Sequence, residues 1–201
     1  VNTISAEMAK VRDYVPPYAV MAHRGSTFWA PEETESAWRW AREMGVDYLE
    51  SDLQCTKDGV ILANHDDNLK RTTNIENVYS ELVPATRKAF YMRHGMSEAE
   101  AEKLVEADKA SFRPYYAMSY MYEELLALDA GSWFNETSIE QARESFSEQH
   151  QYISALEDQI RYAEGKMLKH DVNAERIYTV TGTWNPDKSR DCLTYKFEYV
   201  D

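Results

Sequence analysis

The sequence predicts an α/β fold, on three observations in its first third. Short apolar runs, Tyr18 to Ala22, Val46 to Leu53 and Val60 to Asn64, have strand length and hand over to polar residues. A helix-period stretch, Pro31 to Met44, separates the first two, so strand, loop, helix and strand follow in the order of a βαβ unit. Polar groups gather at the strand ends: His23-Arg24 after the first, Glu50 and Asp52 on the second, His65-Asp66 after the third. In parallel α/β folds that edge is where active sites sit.

Taken in order, residues 1 to 16 hold one short helical pattern (Ile4, Met8, Val11), closed by Pro16-Pro17. Tyr18 to Ala22 reads as a buried strand, and Gly25 permits a tight turn directly after His23-Arg24. In the helix, Pro31 suits the first turn and Glu32 and Glu33 suit the positive start. Ala37, Trp40, Ala41 and Met44 fall at i, i+3, i+4 and i+7, and Gly45 suits the stop. The period of two in the next strand sets Tyr48, Glu50, Asp52 and Gln54 on one face. Lys57-Asp58-Gly59 is a turn signal.

Beyond Asn74 the character changes. Ser80 to Asp108 reads as a solvated helical segment with a break at Gly95 and a capping box from Ser97 and Glu100. The Tyr- and Met-rich run Tyr115 to Leu128 reads as packing, and Thr137 to Lys169 as a further helical region. Ile177 to Thr181 and Leu193 to Val200, joined by Asn185-Pro186-Asp187, read as a β-hairpin.

Composition narrows the classes. A chain of 201 residues holds one domain, or one domain with an insertion, and 43% hydrophobic with 28% charged residues is a globular balance. The net charge of −13 repels polyanions and argues against nucleic-acid binding, so a small anionic substrate needs a local positive site, a metal or a buried arginine. Cys55 and Cys192 lack metal-ligand spacing; they permit one disulfide without demanding it. No run is long and apolar enough to span a bilayer. No signal peptide is visible, but a start at Val1 is what a removed leader or a missing start leaves, so a periplasmic or secreted location is expected over a cytoplasmic one. No pattern sets the oligomeric state.

The side chains at the strand ends suit acid/base chemistry on a metal-bound anion. Glu50 and Asp52, two apart on a strand, project together and can share a hard cation. His23 and His65 can divide the roles of general acid and base, and Arg24 can hold phosphate oxygens in a bidentate fork. The plainer readings are an exposed polar strand face for Glu50 and Asp52 and a surface loop arginine for Arg24. His94, His150 and His170 read as structural histidines.

These residues carry a family resemblance. HRG, then PEE, ESD, KDG and HDDNLKRTTN, followed later by LLALDAGSWF at Leu125 to Phe134, resemble the N-terminal signature of the glycerophosphodiester phosphodiesterase family. The likeness covers roughly residues 18 to 80 and 122 to 136; the helical stretch 81–121 resembles an insertion that such enzymes carry. The resemblance implies a TIM-type (β/α)8 barrel, here the N-terminal portion of a single catalytic domain over residues 1–201 and truncated to its first strands, that hydrolyses glycerophosphodiesters to glycerol 3-phosphate and an alcohol. It implies His23 and His65 as the acid/base pair, Arg24 as the phosphate contact, and Glu50 and Asp52 as two ligands of a divalent ion, Ca²⁺ or Mg²⁺. Two departures accompany it: Glu33 stands where the family pattern has an asparagine, and no strand carrying E-x-K, the family's third carboxylate and lysine, is found before Asp201. Competing expectations are a related phospholipid phosphodiesterase on the same barrel, and a non-catalytic remnant or binding chain.

Overall fold

The computed structural model describes residues 5–13, 18–147 and 150–163 and the short strands 178–180 and 193–195. Helix α1 (Ala6–Asp13) precedes strand β1 (Met21–His23), helix α2 (Glu35–Glu43) and strand β2 (Tyr48–Glu50). β1 and β2 pair in parallel, as the βαβ reading requires, with Met21 opposite Tyr48 and His23 opposite Glu50. That register is the first physical reason for a site here: it sets the last residue of one strand beside the last residue of the other.

Helix α2 starts later than expected. Thr34 is its N-cap, with extended backbone and a side chain that accepts from the Ala37 N–H, while its hydroxyl donates to the Pro31 carbonyl at 2.6 Å. Pro31, Glu32 and Glu33 therefore belong to the preceding loop, since Glu33 at φ 57° cannot continue a right-handed helix. The buried face is Ala37, Trp38 and Ala41, and Met44 is exposed. Trp38 packs with Tyr162 of helix α8 (Leu156–Ala163), whose phenol donates to Glu35. Gly25 is required where it stands: at φ 88°, a Cβ there would lie 2.7 Å from that of Ala37.

The expected strand Val46 to Leu53 breaks at Ser51-Asp52, and strand β3 (Leu53–Cys55) follows the break. Strand β4 (Ile61–Ala63) pairs with β3 antiparallel, not as a third parallel strand. The turn explains it, because five residues close a hairpin but cannot make a parallel crossover. Gly59 takes φ 84°, and Asp58 Oδ1 accepts from the Thr56 hydroxyl and the Tyr122 N–H, locking the turn to the rest of the chain. The first strand is also less covered than expected, with Val20 and Met21 exposed.

Helices α3 (Ile75–Val78), α4 (Arg87–Arg93) and α5 (Glu98–Ser111) follow, with the Gly95 break and the Ser97/Glu100 capping box in place. The segment is not merely solvated: Arg87 is wholly buried, donating to Glu124, Asp108 and the Ser119 carbonyl. The main core gathers Leu62, Leu69 and Ile75 with Tyr120, Tyr122, Leu125, Leu128 and Ile153. Fully burying each of its aliphatic side chains stabilises the fold by about 2 kcal/mol. The Tyr/Met run thus packs through its tyrosines and Met121, in and beside the short helix α6 (Tyr122–Leu125), whereas Met118 stays exposed.

Helix α7 (Ser132–Thr137) is capped by Asp129, whose carboxylate accepts from Gly131 and Ser132 N–H groups. Among its described residues, the expected helical region Thr137 to Lys169 holds two 3₁₀ turns, an extended stretch that bridges Ala155 to Leu62, and α8; residues 164–169 lie outside the described residues. Ile153 and Ala155 are buried, which extended backbone along β4 achieves and a surface helix would not. Strands β5 (Tyr178–Val180) and β6 (Leu193–Tyr195) pair antiparallel; Asn185-Pro186-Asp187, Cys192 and His170 lie outside the described residues. Among the described residues no helix is long and apolar enough to cross a membrane.

Candidate active site

The parallel register brings His23 and Glu50 together, and the break after β2 turns Asp52 toward them. One donor atom from each of His23, Glu50 and Asp52 lies within 4.8 Å of the others. His23 is exposed and the two carboxylates are half-buried. Arg24, at φ 59°, donates its backbone N–H to Glu50 Oε2 at 3.0 Å, which fixes one oxygen of that carboxylate. Its guanidinium Nε approaches Asp52 Oδ2 at 2.9 Å, and Nη1 reaches Glu32 Oε1 at 3.4 Å.

Asp52 is positioned by the residue that departs from the family pattern. Buried Glu33 accepts from the Asp52 N–H at 2.7 Å and from the Ser51 hydroxyl at 2.9 Å, and Gln159 of α8 donates to it at 3.3 Å. Burial pushes the Glu33 carboxyl up, against the lowering effect of these hydrogen bonds, and the nearby Asp52 charge adds to the rise. A left-handed backbone suits asparagine better than glutamate, so Glu33 holds this loop at some conformational cost.

These residues fit a divalent cation. The hard donors are the Glu50 and Asp52 carboxylates, with the His23 imidazole beside them, and Asp52 Oδ2 is buried yet meets Arg24 Nε without hydrogen-bond alignment, so it keeps lone pairs for a cation. Two carboxylates suffice for an ion that retains waters or substrate oxygens.

His65 stands outside this cluster, at the end of β4. Gln54 donates to its carbonyl at 3.1 Å, and the Asn64 N–H donates to the Asp52 carbonyl at 2.9 Å, so β4 is tied to the break that carries Asp52. Its Nδ1 lies 2.5 Å from Asp66 Oδ1. Hydrogen bonds from Arg71 hold the Asp66 carboxyl well below its ordinary range, at about 2, with burial opposing and His65 assisting. Arg71 also donates to Glu32 at 2.6 and 3.1 Å. A chain of charges thus runs His65, Asp66, Arg71, Glu32, Arg24, Asp52.

Residues 23–199 match the Glycerophosphoryl diester phosphodiesterase family. The chain belongs to that family. Among relatives, a glycerophosphodiester phosphodiesterase of Bacillus subtilis is 32% identical over 126 residues, covering 63% of this chain and 30% of its own length. One from Caldanaerobacter subterraneus is 47% identical over 57 residues, 28% of this chain and 24% of its own length. The chain therefore spans less than a third of the length of these relatives. Among solved structures, the glycerophosphodiester phosphodiesterase of Agrobacterium tumefaciens aligns at TM-score 0.46 and 23% identity over 73% of this chain and 42% of that one. An Oleispira antarctica phosphodiesterase, in complex with the product sn-glycerol-3-phosphate, aligns at 0.45 and 25% over 73% and 40%.

Within this member of the family, the expected residues His23, Arg24, Glu50 and Asp52 come together, while His65 joins them only through the charge chain. Arg71 was missed, being 39 residues from Glu32. So was Glu32, assigned to a helix start it does not occupy. Both lie inside the stretches that carry the family resemblance, Glu32 in PEE and Arg71 in HDDNLKRTTN, and that was the signal that could have found them.

Proposed function

We propose that residues 1–201 form the N-terminal portion of a single (β/α)8 catalytic barrel, with 81–121 inserted in it, that hydrolyses glycerophosphodiesters to glycerol 3-phosphate and an alcohol. The observation that carries this is the clustering of His23, Glu50 and Asp52 donor atoms within 4.8 Å, beside Arg24, at the ends of paired parallel strands. Family membership and the names of the relatives support the same substrate class.

Glu50 and Asp52 would hold a divalent ion, Mg²⁺ or Ca²⁺, which would polarise phosphoryl oxygens and lower the pKa of an oxygen nucleophile. Arg24 lies against Asp52, so its guanidinium faces the same anion and spreads the charge that builds on phosphorus-bound oxygens. His65 donates through Nδ1 to Asp66, which leaves Nε2 free to take a proton from the attacking oxygen. His23 returns a proton to the leaving alcohol.

The test is hydrolysis of glycerophosphocholine by the longest natural form of the enzyme, with and without EDTA and with His23→Ala. Loss of turnover in both cases is expected; turnover surviving both contradicts the mechanism. Residues 1–201 alone are expected to turn over little substrate, because the single parallel strand pair among the described residues leaves the closed barrel unmade. Robust turnover by that chain contradicts the partial-barrel reading.

A further inference from the structure

We propose that Arg71 is a positioning residue for His65: its guanidinium, anchored on Glu32, clamps Asp66 against the imidazole and so selects the tautomer that His65 presents. Arg71 Nε donates to Asp66 Oδ2 at 2.7 Å and Nη2 to Asp66 Oδ1 at 3.2 Å. The same guanidinium donates through Nη2 and Nη1 to Glu32 Oε1 and Oε2 at 2.6 and 3.1 Å. Both carboxylates are thus held in forked geometry by one planar group, which a lysine cannot imitate.

The consequence falls on the histidine. Asp66 Oδ1 is also the atom 2.5 Å from His65 Nδ1. An ionised carboxylate only accepts hydrogen bonds, so Nδ1 must carry the proton and Nε2 the lone pair. Arg71 keeps Asp66 ionised throughout the range in which imidazole titrates. Without the clamp little else fixes the pair, because the His65 side chain is 41% exposed and that of Asp66 29%. Glu32 supplies the anchor from the loop that also bears Glu33, and it reaches Arg24 at 3.4 Å. Arg71 therefore ties the β4 end of the site to the β1 and β2 end.

The catalytic consequence rests on the proposed proton-transfer role of His65; the tautomer does not. The experiment reads both. In ¹⁵N spectra of the imidazoles of the 201-residue chain, recorded about two units above the ordinary histidine pKa, His65 is expected as a single Nδ1–H tautomer. Arg71→Gln is expected to give a mixture with Nε2–H, and Arg71→Lys, which keeps the charge but not the fork, an intermediate mixture. Wild-type His65 protonated on Nε2 overturns the proposal. So do Arg71→Gln and Arg71→Lys spectra identical to wild type while Asp66→Asn shifts the tautomer, for Asp66 would then need no clamp. In turnover of glycerophosphocholine by the longest natural form, the Arg71 variants are expected to lose about 10–100-fold in kcat with KM unchanged. A tautomer shift with unchanged kcat upholds the clamp and overturns the catalytic reading of His65, so the two failures are distinguishable.

Discussion

Among the described residues two arginine–carboxylate networks stand out, and they differ in what they leave free. Arg87 is wholly buried, with Glu124, Asp108 and the Ser119 carbonyl consuming its donors, and Asp108 also accepts from Lys57 and Tyr91. Burial alone would raise the Asp108 carboxyl, but these bonds more than offset it and the group is lowered. The network of Arg24 and Arg71 is made of the same residue types, yet it is partly open, from 12% exposure at Glu32 to 44% at Arg71. It borders an Asp52 oxygen that is not aligned with its arginine. The same residue types thus serve cohesion where the arginine is buried and each of its nitrogens is bonded, and border the proposed ion site where one edge stays unfilled.

That contrast can be broken. Arg87→Ala should be the most damaging change, since it leaves the buried Glu124 carboxylate without its cation and takes one of two from Asp108; a loss of about 3–5 kcal/mol in denaturant unfolding is expected. A smaller loss, near that of an exposed pair, would mean water reaches the network. In the open network the matching effect is modest and pH-dependent. Asp66 is lowered from 3.8 to about 2, so its stabilisation is fully present above pH 3.8 and disappears as pH falls through about 2. Screening of this half-open pair leaves roughly 1 kcal/mol. Asp66→Asn should therefore be less stable than wild type at neutral pH, with the gap closing across that acid window. A gap independent of pH would mean that the effect is not electrostatic. Smallest of all, Lys88→Ala removes a surface ammonium from the exposed Glu98 and Glu102 and should leave the melting temperature unchanged.

How much of this was legible depends on the range of the interaction. The β1–α2–β2 unit was readable because apolar period and helix stop signals act within a few residues. The Ser97/Glu100 box and the Gly59 turn were local too. The pairing direction of β4 was encoded in the five-residue connection, which admits only a hairpin, though strand order in the sequence suggested a parallel edge. The extended run before α8 was not legible, because Ile153 and Ala155 become strand-like only once Leu62 is beside them. In the site, residue types at the strand ends were readable, as was their likeness to a known signature. Glu33 under Asp52, Arg71 across to Glu32 and Arg87 in the core were not, since each spans 19 residues or more and has no local pattern.

The central claim is that the open network carries a divalent-ion site built on Glu50 and Asp52. Calorimetric titration of the 201-residue chain with Mg²⁺ and with Ca²⁺, beside Glu50→Gln and Asp52→Asn, tests it most directly. Saturable binding of at least one ion to the wild type, lost in both variants while the fold is kept, is the result predicted. Binding that survives both substitutions, or a wild type that binds neither ion, contradicts it.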